Sequence, residues 1–329
     1  MARVEQPQSD VTVRVDNRAR LIGALLAATR ETDRAQARKK HGVHPHARAT
    51  RKRMEPFHEH PAVVMAETLL EQGMSVEALF ALAFTLNPST LRATVPAAGL
   101  PAGLASGLAD LATRADLDAW WKEEAAPWTR AVEETRHALD GVMLGPYLDS
   151  FFGSTAARLA VIPNIGFPAE TEIALAAEGE LITIVPPRLA WGESPPWPFD
   201  EDPGHVIRAI ILACSRLRLA DLLQTMDPSL MSDPLPVGDT FRALHPSWAE
   251  QYTLIIAGAL VAVFLERHIN AREASAYILM ERRVHGLDIL ACAAGLVGEY
   301  LADLATGHSP GLSSFLLDFP ARLRAACGG

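Results

Sequence analysis

The strand-forming residues of this chain are gathered into one stretch. Residues 158–162, 172–176 and 181–185 are short apolar runs rich in Leu, Ile, Val and Ala. The last two flank Glu178-Gly179-Glu180, which predicts a turn and therefore a hairpin. One further strand is expected at the start, where Val11-Thr12-Val13-Arg14-Val15 alternates with a period of two. Helical patterns fill most of the remainder. Helices, then a small antiparallel sheet, then helices is the order of an α+β fold, mostly helical, and not of alternating α/β units. The expected organisation is a flexible N-terminus over 1–10, a helical part over 11–152 that includes a basic segment at 30–53, and a sheet with further helices over 153–329. The last two are expected to form one continuous domain.

Local signals set the helices. Asp16 and Asn17 stand where an N-cap belongs, ahead of an apolar helix over 18–28. A helix continues over 33–40, after which Gly42 and Pro45 predict a loop. Pro61 opens a helix through Leu70 that Gly73 ends, and Ser75 caps the next. Further helices are expected over 104–113, 117–124, 127–139, 205–223, 248–268, 271–284, 287–305 and 313–323. Trp120, Trp121 and Trp128 lie on these helices at spacings that anchor a core. A loop rich in Pro and Trp, residues 191–198, follows the strands.

Charge is uneven. The first 53 residues carry 13 Lys and Arg against 5 Asp and Glu; the rest carry 17 against 34. A basic arm over 14–53 could reach nucleic acid, or could fold back onto the acidic body. The arm has no aromatic residue for base stacking, so nucleic acid is not the expected partner. Cys214, Cys292 and Cys327 are widely spaced, which is the usage of core thiols in a reducing compartment. The longest apolar run, 254–265, falls short of the roughly 20 residues of a membrane span. With no secretory signal visible, a soluble cytoplasmic protein without a membrane partner is expected.

Phosphate-loop, dinucleotide, nucleophile-elbow and Cys-x-x-Cys patterns are all absent. His-Glu-x-x-His is absent too: the nearest segment, His58-Glu59-His60-Pro61-Ala62, has Ala62 where the second ligand belongs and a proline inside the required turn. His41, His44, His46, His58 and His60 are five of the eleven histidines. Imidazoles this close in sequence could ligate a transition metal, although the surrounding Lys and Arg oppose a cation. The metal cluster weighed here is His44, His46, His58 and His60. Glu281 and His285 share a helix face, and read as an exposed charge pair.

Several local patterns occur in a shared order. They are Asp16-x-Arg18 before an apolar helix, Phe57-x-x-His60-Pro61-Ala62-Val63, Gly73-Met74-Ser75-Val76-Glu77-Ala78, and Phe151-Phe152-Gly153 before the strands. Trp248, Gly286-Leu287, Glu299-Tyr300, Phe315 and Phe319-Pro320 follow. Over about 11–320, this order resembles a bacterial domain-of-unknown-function family of gluzincin-like zinc metallopeptidases. The resemblance implies a zincin-like fold with His-Glu-x-x-His on the helix after the sheet and a glutamate on a later helix. Such a set holds Zn²⁺ with one open position, and its motif glutamate takes a proton from the bound water.

At the matching helix this chain departs from the family. If His205 is the first ligand, Val206 stands in place of the general base and Ala209 in place of the second ligand. The later helix has no carboxylate between Glu250 and Glu266. The resemblance therefore implies a catalytically inactive, metallopeptidase-like protein without a cofactor, binding an unidentified peptide or protein partner. Two alternatives remain open: a hydrolase with non-standard ligands drawn from the His41–His60 cluster with distant acids, and nucleic-acid association through the basic segment.

Overall fold

β1 (Val11–Val13) is the first element among the described residues. The computed structural model describes residues 9–38, 42–93, 103–167, 169, 171–190, 192–225, 234–308 and 311–327. His41, Trp191, residues 1–8 of the expected flexible terminus, and Lys39 and Lys40 of the helix expected over 33–40 lie outside them. The architecture is α+β, mostly helical, with one sheet of four strands in the order β1-β2-β4-β3 among the described residues. The remaining strands are β2 (Arg158–Pro163), β3 (Ile173–Ala177) and β4 (Glu180–Val185).

The expected hairpin is present: β3 and β4 pair antiparallel, with Ile173 opposite Ile184. Its turn places Glu178 at φ 54° and Gly179 at φ 74°, the two left-handed residues that match the twist of a tight hairpin. The rest of the sheet corrects the expectation of an antiparallel one. β1 pairs parallel with β2, and β2 parallel with β4, so the sheet is mixed. The reason lies in coverage. Every residue of β4, and all but the first of β2, is buried, so both faces are covered, which is the environment of parallel strands.

The chain divides into two compact units. The first comprises residues 1–142 and 157–210; the second comprises 143–156 and 211–329. The sheet therefore belongs with the N-terminal helices, whereas a break near 153 would have grouped it with the C-terminal ones. β1 explains the grouping, because its ladder to β2 ties the opening residues to the strands.

In the first unit the helices are α1 (Asn17–Ala27), α2 (Glu31–Arg38), α3 (Pro45–Met54), α4 (Pro61–Glu71), α5 (Val76–Ala83), α6 (Leu104–Arg114), α7 (Leu117–Glu123) and α8 (Ala125–Ala138). Leu21, Ile22, Leu25 and Leu26 of α1 are fully buried in one core with Phe80, Leu104, Leu108, Ile182 and Ile184. Burying each such side chain stabilises by roughly 1.5–3 kcal/mol. The loop expected after Gly42 is α3 instead. Pro45 sits at its first turn, where a missing N–H costs nothing, and the His44 side chain caps it. The basic segment folds back onto the body: Arg34 pairs with Glu71 at 2.9 Å and Arg53 donates to the Ala115 carbonyl at 2.8 Å.

The second unit holds α9 (Leu144–Phe152), α11 (Asp239–Leu244), α12 (Trp248–Phe264), α13 (Ala271–His285), α14 (Leu290–Thr306) and α15 (Leu312–Cys327), while α10 (Pro203–Gln224) runs from one unit into the other. Sequence patterning anticipated neither α9 nor α11. Trp248–Ile269 is long and apolar enough to cross a membrane, but 72% of its most apolar window is buried inside the protein. It is a core helix: Tyr147 on α9 donates to the Leu260 carbonyl, and Tyr252 donates to that of Leu316 on α15, each at 2.6 Å.

Candidate functional site

Two arginines of α1 have different surroundings. Arg18 is 1% exposed and fully paired. Its Nε and Nη2 donate to the two oxygens of Asp16 at 3.0 and 2.8 Å, and Nη1 donates to Glu178 Oε1 at 2.8 Å. Burial alone would pull the guanidinium pKa down; the Asp16 and Glu178 carboxylates outweigh it and push it up. Asp16 also caps α1 by accepting from Arg18 N–H. The left-handed conformation of Glu178 delivers its carboxylate to this node from the hairpin. These are the contacts of a structural node.

Arg20 has no such partners. Its guanidinium carbon lies 4.6 Å from the Trp121 ring centroid and 4.9 Å from that of Trp128, so two indoles hold it by cation–π contact. Nη2 donates to the Trp121 carbonyl at 3.3 Å, while the buried Nε has no hydrogen-bond partner among the described residues. Burial lowers its pKa to about 10, opposed by Asp118, and it remains a cation at neutral pH. Arg20 lines an open pocket of about 590 Å³ with Arg14, Arg18, Arg158, Trp128 and Glu180. Arg14 and Arg158 reach Glu180 at 2.6 and 3.4 Å. Of these four arginines, Arg20 is the one without a carboxylate at ion-pair distance among the described residues.

Trp128 connects this pocket to a second group. Its indole N–H donates to His46 Nε2 at 2.8 Å, and His46 Nδ1 lies 3.1 Å from Glu124 Oε2. The His46 ring stacks on Trp120, with centroids 5.4 Å apart. With Nε2 accepting, Nδ1 carries the proton and donates to Glu124, which fixes a neutral tautomer. Burial lowers the His46 pKa, Glu124 opposes that, and Arg20 reinforces it. Both ring nitrogens are occupied, so His46 has no lone pair with which to act as a general base. His44 Nδ1 accepts from the His46 N–H at 3.1 Å to cap α3, and burial, then His46, Arg48 and Arg130, bring its pKa down to about 4. A second cavity of about 690 Å³ lies along His44, Glu124, Arg130, Glu134 and Trp197.

No family model, curated protein or solved structure matches the chain.

The four weighed histidines are not brought together. His44 and His46 stand at the start of α3, while His60 caps α4 through Nδ1 and places Nε2 3.0 Å from Asp110. His58 is exposed, and its Nδ1 lies 3.0 Å from the Glu55 carbonyl. No group of three potential metal ligands gathers among the described residues. His205 Nε2 lies 2.9 Å from the Pro186 carbonyl, with Val206 and Ala209 buried beside it in α10.

Arg20 and its clamp escaped sequence reasoning, since Trp121 and Trp128 are about a hundred positions away. The three tryptophans are buried, as core anchors are, and two of them also contact a cation. One signal was available: Arg20 interrupts the apolar run of Ala19, Leu21 and Ile22.

Proposed function

We propose that this protein is a non-catalytic binding protein, and that its site is the Arg20 pocket, which takes a carboxylate- or phosphate-bearing ligand. The observation that carries this reading is a half-buried guanidinium, clamped on Trp121 and Trp128 and without a carboxylate at ion-pair distance among the described residues. An anion in the pocket would supply the counter-charge that the guanidinium lacks, in the charge-assisted N–H···O bonds for which arginine is suited. Holding the side chain in place beforehand reduces the entropy that binding costs. Ala125, at the first turn of α8, borders the same pocket, and α8 has no side-chain cap, so its N-terminal dipole adds to the attraction.

The occupied ring nitrogens of His46 favour binding over acid–base chemistry. The resemblance to gluzincin-like peptidases fits this reading as an inactive relative, with Val206 and Ala209 as core residues where such enzymes carry catalytic groups. A peptide with a free C-terminal carboxylate is the partner that joins both lines.

Tryptophan fluorescence and calorimetry test the proposal with phosphate, acetate, and one short peptide in free-acid and amidated forms. Saturable binding of at least one of these anions is expected, weakening with salt and falling roughly tenfold or more in Arg20→Gln. Arg20→Lys should also bind less well, because an ammonium lacks the planar fork. Absence of binding by every anion, or stoichiometric zinc together with peptide cleavage, would overturn the reading.

A further inference from the structure

The three cysteines were expected to be core thiols, and Cys214 is one: it is 1% exposed. Cys292 on α14 and Cys327 on α15 are different. Both are partly exposed and unpaired by any disulfide. α14 and α15 pack side by side, joined at the surface by Arg322 and Glu299 at 3.0 Å. Cys292 Sγ points at the end of α15, 3.8 Å from the Ala326 carbonyl, and the Cys292 and Cys327 thiols are close enough to hydrogen-bond to one another.

We infer that Cys292 and Cys327 form a peroxide-responsive dithiol that closes to a disulfide and staples the C-terminal helix to α14. Two partly exposed thiols held in mutual contact across a helix pair have the proximity that disulfide formation requires. A pair that is reduced at rest and oxidised transiently is also the form disulfides take in a reducing compartment.

The chemistry balances with hydrogen peroxide as the oxidant. The Cys292 thiolate attacks one peroxide oxygen; the O–O bond breaks, leaving Cys292 sulfenic acid and hydroxide, which takes up a proton to become water. Cys327 sulfur then attacks the Cys292 sulfur, the S–O bond breaks, and the departing hydroxide leaves as water with the Cys327 proton. Two thiols lose two electrons in total, and one peroxide becomes two waters. Burial, then the Cys292 thiol, push the Cys327 pKa up to about 12, which keeps its thiolate scarce and leaves the attack on peroxide to Cys292.

The experiment treats the full chain with hydrogen peroxide and follows intact mass, peptide mapping and native alkylation. The expected result is a mass lower by two hydrogens, an intramolecular link between the peptides carrying Cys292 and Cys327, and reversal by dithiothreitol. Cys292→Ser and Cys327→Ser should each abolish the link while folding as the parent does, since a hydroxyl replaces a thiol of similar size. Closure of the long loop should raise the melting temperature of the oxidised protein by roughly 5 °C or more. Cys214 serves as the internal control and should resist alkylation until the protein unfolds. Oxidation of Cys292 or Cys327 to sulfinic or sulfonic acid without a link, a link only between two chains, or two thiols unchanged by peroxide would each overturn the inference.

Discussion

Arg18 and Arg20 stand two positions apart in α1, and their surroundings predict opposite responses to the same substitution. Arg18→Met removes the partner of a buried Asp16 carboxylate, which should cost about 3–5 kcal/mol, because an uncompensated charge is left inside. Arg20→Met removes a cation with no carboxylate at ion-pair distance and an Nε with no acceptor among the described residues. It should melt no lower than the parent while losing anion binding; the two cation–π contacts forgone, about 0.5–1 kcal/mol each, offset the desolvation relieved. Parallel thermal melts and ligand titrations of the two variants check this, and a large loss of stability in Arg20→Met would make Arg20 a structural residue. Such a contrast is what a binding site bears when its ligand completes it, since sites tend to be held at some expense to stability.

Among the elements, the helices were largely legible in the sequence and the sheet only partly. The 3.6-residue pattern and the caps located most helices, because those signals are local. Pro45 shows where local reading misled: a proline after a glycine suggests a loop, yet here it opens α3 behind a histidine cap. The hairpin was legible from its turn, whereas the sheet was expected to be antiparallel and is mixed, although the largely apolar runs of β2 and β4 already indicated strands covered on both faces. The Arg20 clamp joins α1, α7 and α8, and no local pattern encodes which helices meet.

The α3 cap carries a pH dependence. His44 Nδ1 can accept from the His46 N–H only while it is unprotonated, and its folded pKa of about 4 lies below the ordinary histidine value of about 6.5. Its contribution is therefore fully present above about pH 6.5 and is lost as pH falls through about 4, because the unfolded chain takes up the proton first. Denaturation series between pH 7 and pH 4 should show falling stability in that window. His44→Asn, which keeps a capping oxygen, should flatten part of the slope, while His44→Ala should cost about 1 kcal/mol at pH 7. Equal slopes in the parent and His44→Asn would remove His44 from this account.

At the scale of the whole molecule, chain order and compact units do not coincide. The first unit takes residues 1–142 together with 157–210, and the second takes 143–156 with 211–329. A fragment of residues 1–142 would keep α1 to α8 but lack β2, β3 and β4, which supply Ala160, Ile162, Ile173, Leu175, Ile182 and Ile184 to its core. That fragment is expected to show helical circular dichroism without a cooperative melt; a sharp transition would mean that the helices need no sheet. The parallel ladder of β1 on β2 also has a meaning for the chain as it is made. Val11 meets Leu159 only after everything between them has been synthesised. At about 5–20 residues per second, that is a wait of roughly 7–30 s, during which β1 has an open edge and no native neighbour to occupy it. The strand is three residues long. So short an edge gives a stray strand little to pair with, and its brevity protects the nascent chain from aggregation through the interval.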